Sequence, residues 1–526
     1  ALVSAAIWLL HPFLVSTTLY VVQRMAQLAT LFMLAGLIAY LYGRSMLATR
    51  ELKGYLVMSA GIGVFTLLAM LSKENGILLP VLVGVVEVTI IASQRQRIPA
   101  LNRWWAGLFI VLPSIVIALY LGRIAFQPGF FDIKPPRDFS LYERVLTQGR
   151  VLVEYLQHWF LPKLYTTGVF QDHYEKSTGL LAPVTTILSY FVHGALIAMA
   201  LVKRRQLPLF SLAVLFFYAS HLLESTVVSL ELYFEHRNYV AVAFLFLPLV
   251  EISYRKLSGR TFGLAVLAVL VLLTSFTRYS ATVWQSLPSL LEASALKAPD
   301  SARAQSQYAK LLFYLDRNEE ALAVIDKAIV NINYDDPLLL MVRLYFLCSD
   351  DALDDQEFEQ ASERLAALPF DSRALKAYNI FADQVVNGSC PNITADSLEG
   401  MFLQMLDVPA NSDPTSLRYS QVHYLIGYSR THAGRPQEAL AAFEKSLSSR
   451  PGPSHAMSMA SLMASRGYGK EALILSDKAL TQLAKETARD PRKVQKVKVS
   501  DILEFQETVR ADLAAQQAAD NPDEAD

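Results

Sequence analysis

Hydrophobic patterning changes character near Arg278. Before it, apolar runs of about 15 to 20 residues recur between short charged gaps, the length an α-helix needs to cross ~30 Å of hydrocarbon. Nine runs are predicted to span: 27–42, 55–71, 76–92, 105–121, 183–202, 207–222, 239–254, 262–277 and the incomplete 1–10. One segment differs. "SLYERVLTQGRVLVEYLQHWFL", 140–161, sets apolar side chains at helical spacing but interrupts them with Glu143, Arg144, Arg150, Glu154 and His158. It is too polar for an easy span and strongly sided, so it is expected to lie along the membrane or to line a cavity. Pro135 and Pro136 mark an irregular entrance to it.

Beyond residue 301 the apolar mass gives way to amphipathic helical periodicity with an internal repeat. The stretch beginning at Ala302 places Ala309, Ala321 and Ala328 where a tetratricopeptide repeat keeps its small packing residues. A second copy supplies Gly427, Ala439, Phe443 and Pro451, and a third supplies Ala460, Ala472 and Ala479. Small residues at these positions let the two helices of a hairpin approach, and stacked hairpins form a solenoid with a concave binding face. The stretch 337–415 is helical but off-register. The predicted organisation is all-α: a polytopic membrane bundle at 1–278, a linker at 279–300, a soluble repeat solenoid at 301–512 and a disordered acidic tail at 513–526.

Charge sharpens this division. The 526 residues are 53% hydrophobic with a net charge of only -1, yet 23 Lys and Arg oppose 13 Asp and Glu up to Arg278, and 24 oppose 35 after it. Lys and Arg cluster in alternate short gaps (Arg44, Arg50 and Lys53; Arg95, Arg97 and Arg103; Lys203, Arg204 and Arg205; Arg255, Lys256 and Arg260), which are predicted to be cytoplasmic. The opposite side then collects His11 and Arg24, "SKENG" with Lys73 and Glu74, "FQDHYEKS" with Asp172 and His173, and "HLLES…FEHRNY" with Glu224, Glu235, His236 and Arg237. Each has an ordinary explanation: Lys73 and Glu74 could cap two helices and snorkel, 235–237 could be a solvated helix start, and Asp172 could be plain loop surface. Glu87 and Glu251 fall near cytoplasmic ends, where snorkelling is expected. Several costly ionisable groups converging on one side nevertheless mark a functional site. Cys348 and Cys390, on one module, either form a bridge or stay as buried thiols; an extracytoplasmic compartment favours the bridge.

"HPFLVSTTLYVVQRMAQLATLFMLAGLIAYLYGR", "LSKENGILLPVLVGVVEV" and "LLESTVVSLELYFEHRNYVAV", in this order and followed by repeats, resemble segments of the transmembrane and tetratricopeptide-repeat-containing (TMTC-type) O-mannosyltransferase-like proteins and their bacterial relatives. The resemblance runs over nearly the whole chain. It implies a GT-C glycosyltransferase fold in a bacterial inner membrane, with the repeats in the periplasm. The implied activity is transfer of a sugar from a polyprenyl-phosphate carrier to a protein or glycan acceptor. In that fold an acidic residue in the first external loop is the usual base or metal ligand. This chain starts with Ala and with a short run, so it is expected to begin beyond that loop, which leaves the base unassigned.

Among visible residues, Arg237, Lys73, His236, Arg24 and His11 are the candidates for the donor phosphate, with Arg237 first for its fork geometry. Glu74, Asp172, Glu224 and Glu235 are the candidates to orient those cations, to bind a divalent metal through oxygen, or to deprotonate an acceptor hydroxyl. The expected partners are the lipid-linked donor, membrane lipid and a protein acceptor, with no nucleic acid. The alternatives are a membrane-anchored repeat scaffold without activity and a polysaccharide polymerase or ligase.

Overall fold

The computed structural model describes all residues except 95–97, 133–138, 165–168, 173, 333–334, 490–494 and 521–526. Arg95, Arg97, Pro135, Pro136 and His173 therefore lie outside the described residues. The chain is all-α, and among the described residues the nearest approach to a sheet is one isolated bridge between Gly179 and Ala182. It forms two compact units, Ala1–Ser301 and Ala302–Asp526, dividing where the sequence changes texture.

The first unit is a multi-pass helical domain. Six helices are long and apolar enough to cross a bilayer: Val21–Met46, Glu51–Ser72, Glu74–Ile91, Arg103–Ala125, Thr185–Lys203 and Gly259–Val283. A seventh crossing is available if the bent pair Leu2–Leu9 and Pro12–Leu19 counts as one. Nine were expected, and proline explains much of the difference. Pro208 opens a helix of 14 residues that ends at His221, about 21 Å long at 1.5 Å per residue and short of the hydrocarbon thickness. The run 239–254 is broken into Asn238–Ala241 and Leu247–Lys256. Pro248 has no N–H for the carbonyl of Phe244, which removes one helical hydrogen bond next to the break.

The Arg103–Ala125 and Gly259–Val283 spans are only 6% buried in their most apolar windows. Their exposed Leu, Val and Ile suit a lipid environment and would be a liability in water. The tightest packing joins Arg24–Met46 to Glu51–Ser72. A Cβ on Gly36 would fall 2.9 Å from the Gly61 carbonyl, and one on Gly43 would fall 2.7 Å from that of Gly54. Two glycine pairs thus bring the backbones together, the small-residue solution that substitutes for a hydrophobic driving force between helices in lipid.

The second unit consists of helical hairpins. Ala302–Tyr314 packs on Asn318–Asn331, Leu417–His432 on Pro436–Ser449, and Pro453–Ser465 on Gly469–Arg489. Ala309, Ala321, Ala328, Ala439, Ala460, Ala472 and Ala479 are all buried, as expected of residues that set hairpin spacing. Gly427 faces Phe443, whose ring would stand 2.4 Å from an added Cβ. The off-register stretch holds Pro337–Ser349, Asp355–Ala366, Leu375–Val386 and Ala395–Gln404 around a core that they share with the Leu417–His432 helix. Cys348 and Cys390 are bonded across it, with Cα atoms 5.1 Å apart.

Two boundaries move. The expected linker is mostly helix, because Gly259–Val283 overruns it and Leu287–Lys297 follows. The last helix, Val499–Asp520, continues through much of the segment expected to be disordered; its Ala and Gln content favours helix despite the acidic end.

Candidate functional site

The helix Leu141–Phe160 organises the polar centre of the first unit. Its start is fixed by a capping box: the Glu143 amide donates to Ser140 Oγ at 3.1 Å, and the Ser140 amide to Glu143 Oε2 at 2.8 Å. Arg144, Gln148, Val151 and Tyr155 recur at helical spacing on its buried face. That face does not remain free. It holds the irregular loop that follows the Pro208–His221 helix.

Arg144 Nη2 donates to the Glu224 carbonyl at 2.6 Å and Nε to that of Leu230 at 2.7 Å, while Nη1 donates to Thr226. Gln148 Nε2 donates to Leu232 at 2.7 Å. The Tyr155 hydroxyl both donates to the Phe234 carbonyl, at 2.8 Å, and accepts its amide, at 2.9 Å. A backbone without regular structure is thereby satisfied inside an apolar bundle, where unpaired carbonyls would each cost several kcal/mol.

Pinned in this way, the loop presents Glu224 to Lys73. Both are nearly inaccessible, at 2% and 4% exposure, and Lys73 Nζ stands 2.5 Å from Glu224 Oε1. Asn75 Nδ2 donates to Glu224 Oε2 at 3.3 Å. Lys73 reaches inward because the chain leaves the Glu51–Ser72 helix in extended conformation there and doubles back at once. Gly76 sits so close to Ala69 that a Cβ would be 2.3 Å from its carbonyl carbon, so only glycine permits the turn that tucks Lys73 under the bundle.

Burial opposes ionisation of Glu224, yet Lys73 and then Arg237 outweigh it and hold the carboxyl below its ordinary value, at about 2. His236, stacked on Phe234 with ring centres 5.1 Å apart, is lowered to about 3 by burial and by the Lys73 charge. It is therefore neutral at physiological pH.

Arg237 is buried, and its fork is already engaged: Nη1 donates to Leu232 at 2.9 Å and Nη2 to Glu231 at 2.6 Å. Lys73 differs. One ammonium proton is taken by Glu224, and the others meet no hydrogen-bond acceptor among the described residues. Arg237 Nε, Asn75 Oδ1, Ser225 Oγ and His221 Nε2 are likewise buried without a hydrogen-bond partner there. So many polar atoms about one ion pair suit a polar occupant with several oxygens.

The other candidates fall around this centre. Glu235 is buried and accepts from Ser16 Oγ, which joins the "HPFLVSTT" segment to the site. His11 is buried, with Nε2 3.2 Å from the Trp159 carbonyl and its ring 4.2 Å from that of Trp159. The "FQDHYEKS" loop arrives through Tyr174, stacked on Tyr233 at 5.7 Å, and through Glu175, paired with Arg150 at 3.1 Å. Asp172 accepts from Ser301 Oγ at 2.6 Å. Glu74 and Arg24 are exposed. All four polar segments expected on one side thus meet in space, though Glu74 and Arg24 point away from the ion pair.

The sequence reading registers the charge of Arg144, Tyr155 as an apolar helical position and Asn75 within "SKENG", but not their roles, and it passes over Gln148. The repeating four-residue interval of Arg144 and Gln148 on an otherwise apolar stripe was the available signal. Glu87 is not a snorkelling end: it accepts from Tyr40 Oη at 2.6 Å and pairs with the buried Arg44 at 2.8 Å.

Two cavities adjoin the organising helix. One of about 360 Å³ is lined by His11, Trp159 and Phe160, together with residues of Gly259–Val283. The other, of about 830 Å³, is lined by Leu156, Phe160, Phe217 and Tyr218 but also by the charged Arg205, Glu251 and Arg255. Among the described residues, no three His, Cys, Asp or Glu side chains gather as a metal site would require. Neither a protein-family model nor a curated protein sequence matches the chain.

Proposed function

We propose that this chain transfers a sugar from a polyprenyl-phosphate donor to a protein or glycan acceptor at the periplasmic face of a bacterial inner membrane, its second unit acting as a tetratricopeptide-type recruiter of the acceptor. The observation that carries this reading is the buried Lys73–Glu224 pair with donor capacity left over beside Arg237. In such a transfer the acceptor hydroxyl oxygen bonds to the sugar C1, the bond from C1 to the phosphate oxygen breaks, and that oxygen keeps the electron pair. The hydroxyl proton leaves to a carboxylate base.

Lys73 then supplies positive charge where the leaving phosphate gains negative charge, in a desolvated place where such charge counts most. Glu224, paired with the ammonium, holds it aimed. Arg237, held by two carbonyls, adds field and fixes the loop, while Lys73, with ammonium protons that meet no acceptor among the described residues, is placed to grip the phosphate. His236 sits beside the pair as a neutral group, and Glu235 is hydrogen-bonded to Ser16. The smaller, apolar cavity suits the prenyl chain of the same donor. The Cys348–Cys390 bridge agrees with an oxidising compartment for the second unit.

The test uses the full chain in lipid nanodiscs, with labelled polyprenyl-phosphate sugars and envelope proteins as acceptors. Lys73→Met is expected to lower transfer by about 100-fold or more, the range seen when one transition-state charge donor is lost, with insertion unchanged. A wild-type chain that moves no sugar from any such donor would favour the scaffold, and a Lys73→Met protein with ordinary activity would remove the pair from the chemistry.

A further inference from the structure

The second unit is acidic overall, yet one of its surfaces is not. Ala302–Tyr314, Pro337–Ser349 and Leu375–Val386 together line a groove of about 670 Å³, within the ~300–1,000 Å³ of sites that enclose a ligand or a few side chains. Four cations line it, Arg303, Lys310, Arg373 and Lys376, against a single acid, Asp316. Arg303 and Lys310 are seven residues apart and share a helix face.

The cations are not equivalent. Arg373 is already committed, with Nε 3.0 Å from both oxygens of Asp371. Lys310 and Lys376 have no ion-pair partner among the described residues. Several arginines elsewhere in this unit are matched by acids, as Arg343 is by Asp326 and Arg430 by Glu399. Burial, and then the charge of Lys376, pushes the Lys310 ammonium below its ordinary value, so an incoming anion would relieve a real cost.

Aromatic rings supply the rest of the groove. Phe313 and Phe346 stack with centres 4.5 Å apart as its floor. Tyr314 stands 84% exposed at the rim, an unusual position for so large a side chain. Cations beside rigid aromatic surface match the composition of protein-binding hot spots. A bare inorganic anion would use the lysines and leave the rings idle.

We propose that this groove holds an extended acidic peptide, with Asp or Glu carboxylates on Lys310 and Lys376 and an apolar or aromatic side chain on the Phe313–Phe346 floor. The proposal rests on the second unit's role as a polypeptide recruiter and names the chemistry it selects.

The probe is a fluorescent synthetic peptide in which Asp and Glu flank a Phe-Tyr pair, titrated onto the full chain in nanodiscs by polarisation. Its counterpart carries Asn and Gln in place of the acids. The acidic peptide is expected to bind at least about tenfold more tightly than the amide peptide, and to weaken with salt. Lys376→Glu, an exposed change, should cost about tenfold, and Lys310→Met, which keeps the packing, a similar factor. Equal binding of the two peptides, or acidic-peptide binding untouched by both variants, would overturn the proposal. So would capture at these lysines of a polyanionic glycan and of neither peptide. Transfer to a free small-molecule acceptor in the same variants keeps the two ideas apart: it should remain at wild-type level, and its absence in the wild type would count against the transferase while leaving the peptide result to stand.

Discussion

Both units bring helices together with small residues, but they treat charge in opposite ways. In the first, Arg44, Lys73, Arg144, Glu224, Glu235 and Arg237 are buried among spans. In the second, most ion pairs sit at the surface, as with Arg343 and Asp326, and Arg364 and Asp335. A surface pair in water contributes little and needs no special reason. A buried charge costs several kcal/mol to desolvate, and an apolar pair of the same size would often serve stability as well or better. Where the expensive option is kept, stability alone does not account for it, and the difference between the units is what singles out the Lys73–Glu224 pair as the proposed site.

The sharpest way to break this contrast is to separate stability from activity at the ion pair. Glu224→Gln leaves Lys73 without its counter-charge, and should destabilise the first unit by about 3–5 kcal/mol, the usual cost of orphaning a buried charge. The double variant Lys73→Met with Glu224→Leu should recover most of that loss in thermal unfolding while remaining inactive. If the double variant unfolds as readily as the single one, the pair is architectural and the comparison fails. In the wild type the Glu224 carboxyl is held low, so the pair's contribution is complete above the ordinary carboxylate range and is lost only as pH falls toward about 2. Thermal unfolding of the first unit should therefore show no transition from this pair between pH 7 and the ordinary carboxylate range.

That pair also marks the limit of what the sequence discloses. The spans are legible because apolar mass is local, and the hairpin alanines because small residues recur at a fixed interval. Lys73 and Glu224 could be placed on one side of the membrane by counting basic gaps, but their contact could not be read. Asn75 and Glu224 are 149 positions apart, and only the turn at Gly76 and the grip of Arg144 on the loop bring them together. Arg144 itself was visible as a charge on an amphipathic helix. A solvated arginine and one that caps three carbonyls look alike in a linear pattern. The break at 242–246 was in principle readable from Pro248, and was missed because the run around it is uniformly apolar.

The close approaches differ in what replaces them. Gly43 lies against the Gly54 backbone, which cannot rotate aside, so Gly43→Leu should force the Arg24–Met46 and Glu51–Ser72 helices apart and lower stability by about 1–3 kcal/mol or more. Cysteine cross-linking between the two helices, monitored in membranes, should fall sharply. Unchanged cross-linking would mean that the glycines are not what sets the spacing. In the second unit Gly427→Ala meets the Phe443 ring instead, whose core position leaves it little room. The expected loss is about 1–2 kcal/mol in denaturant unfolding, partly recovered by Phe443→Leu.

The smallest effect is expected at a surface pair. Arg343 lies about a quarter exposed, with Nε 2.8 Å from Asp326 and Nη1 bonded to Glu357. Arg343→Gln removes both ion pairs but keeps much of the side-chain volume. The cost should be at most about 1 kcal/mol at low salt, shrinking further as ionic strength rises, because water already screens these charges. Urea unfolding at two salt concentrations measures it. A loss comparable with that of Glu224→Gln, and insensitive to salt, would show that charge in the second unit is as structural as in the first, and the contrast between the units would no longer identify a site.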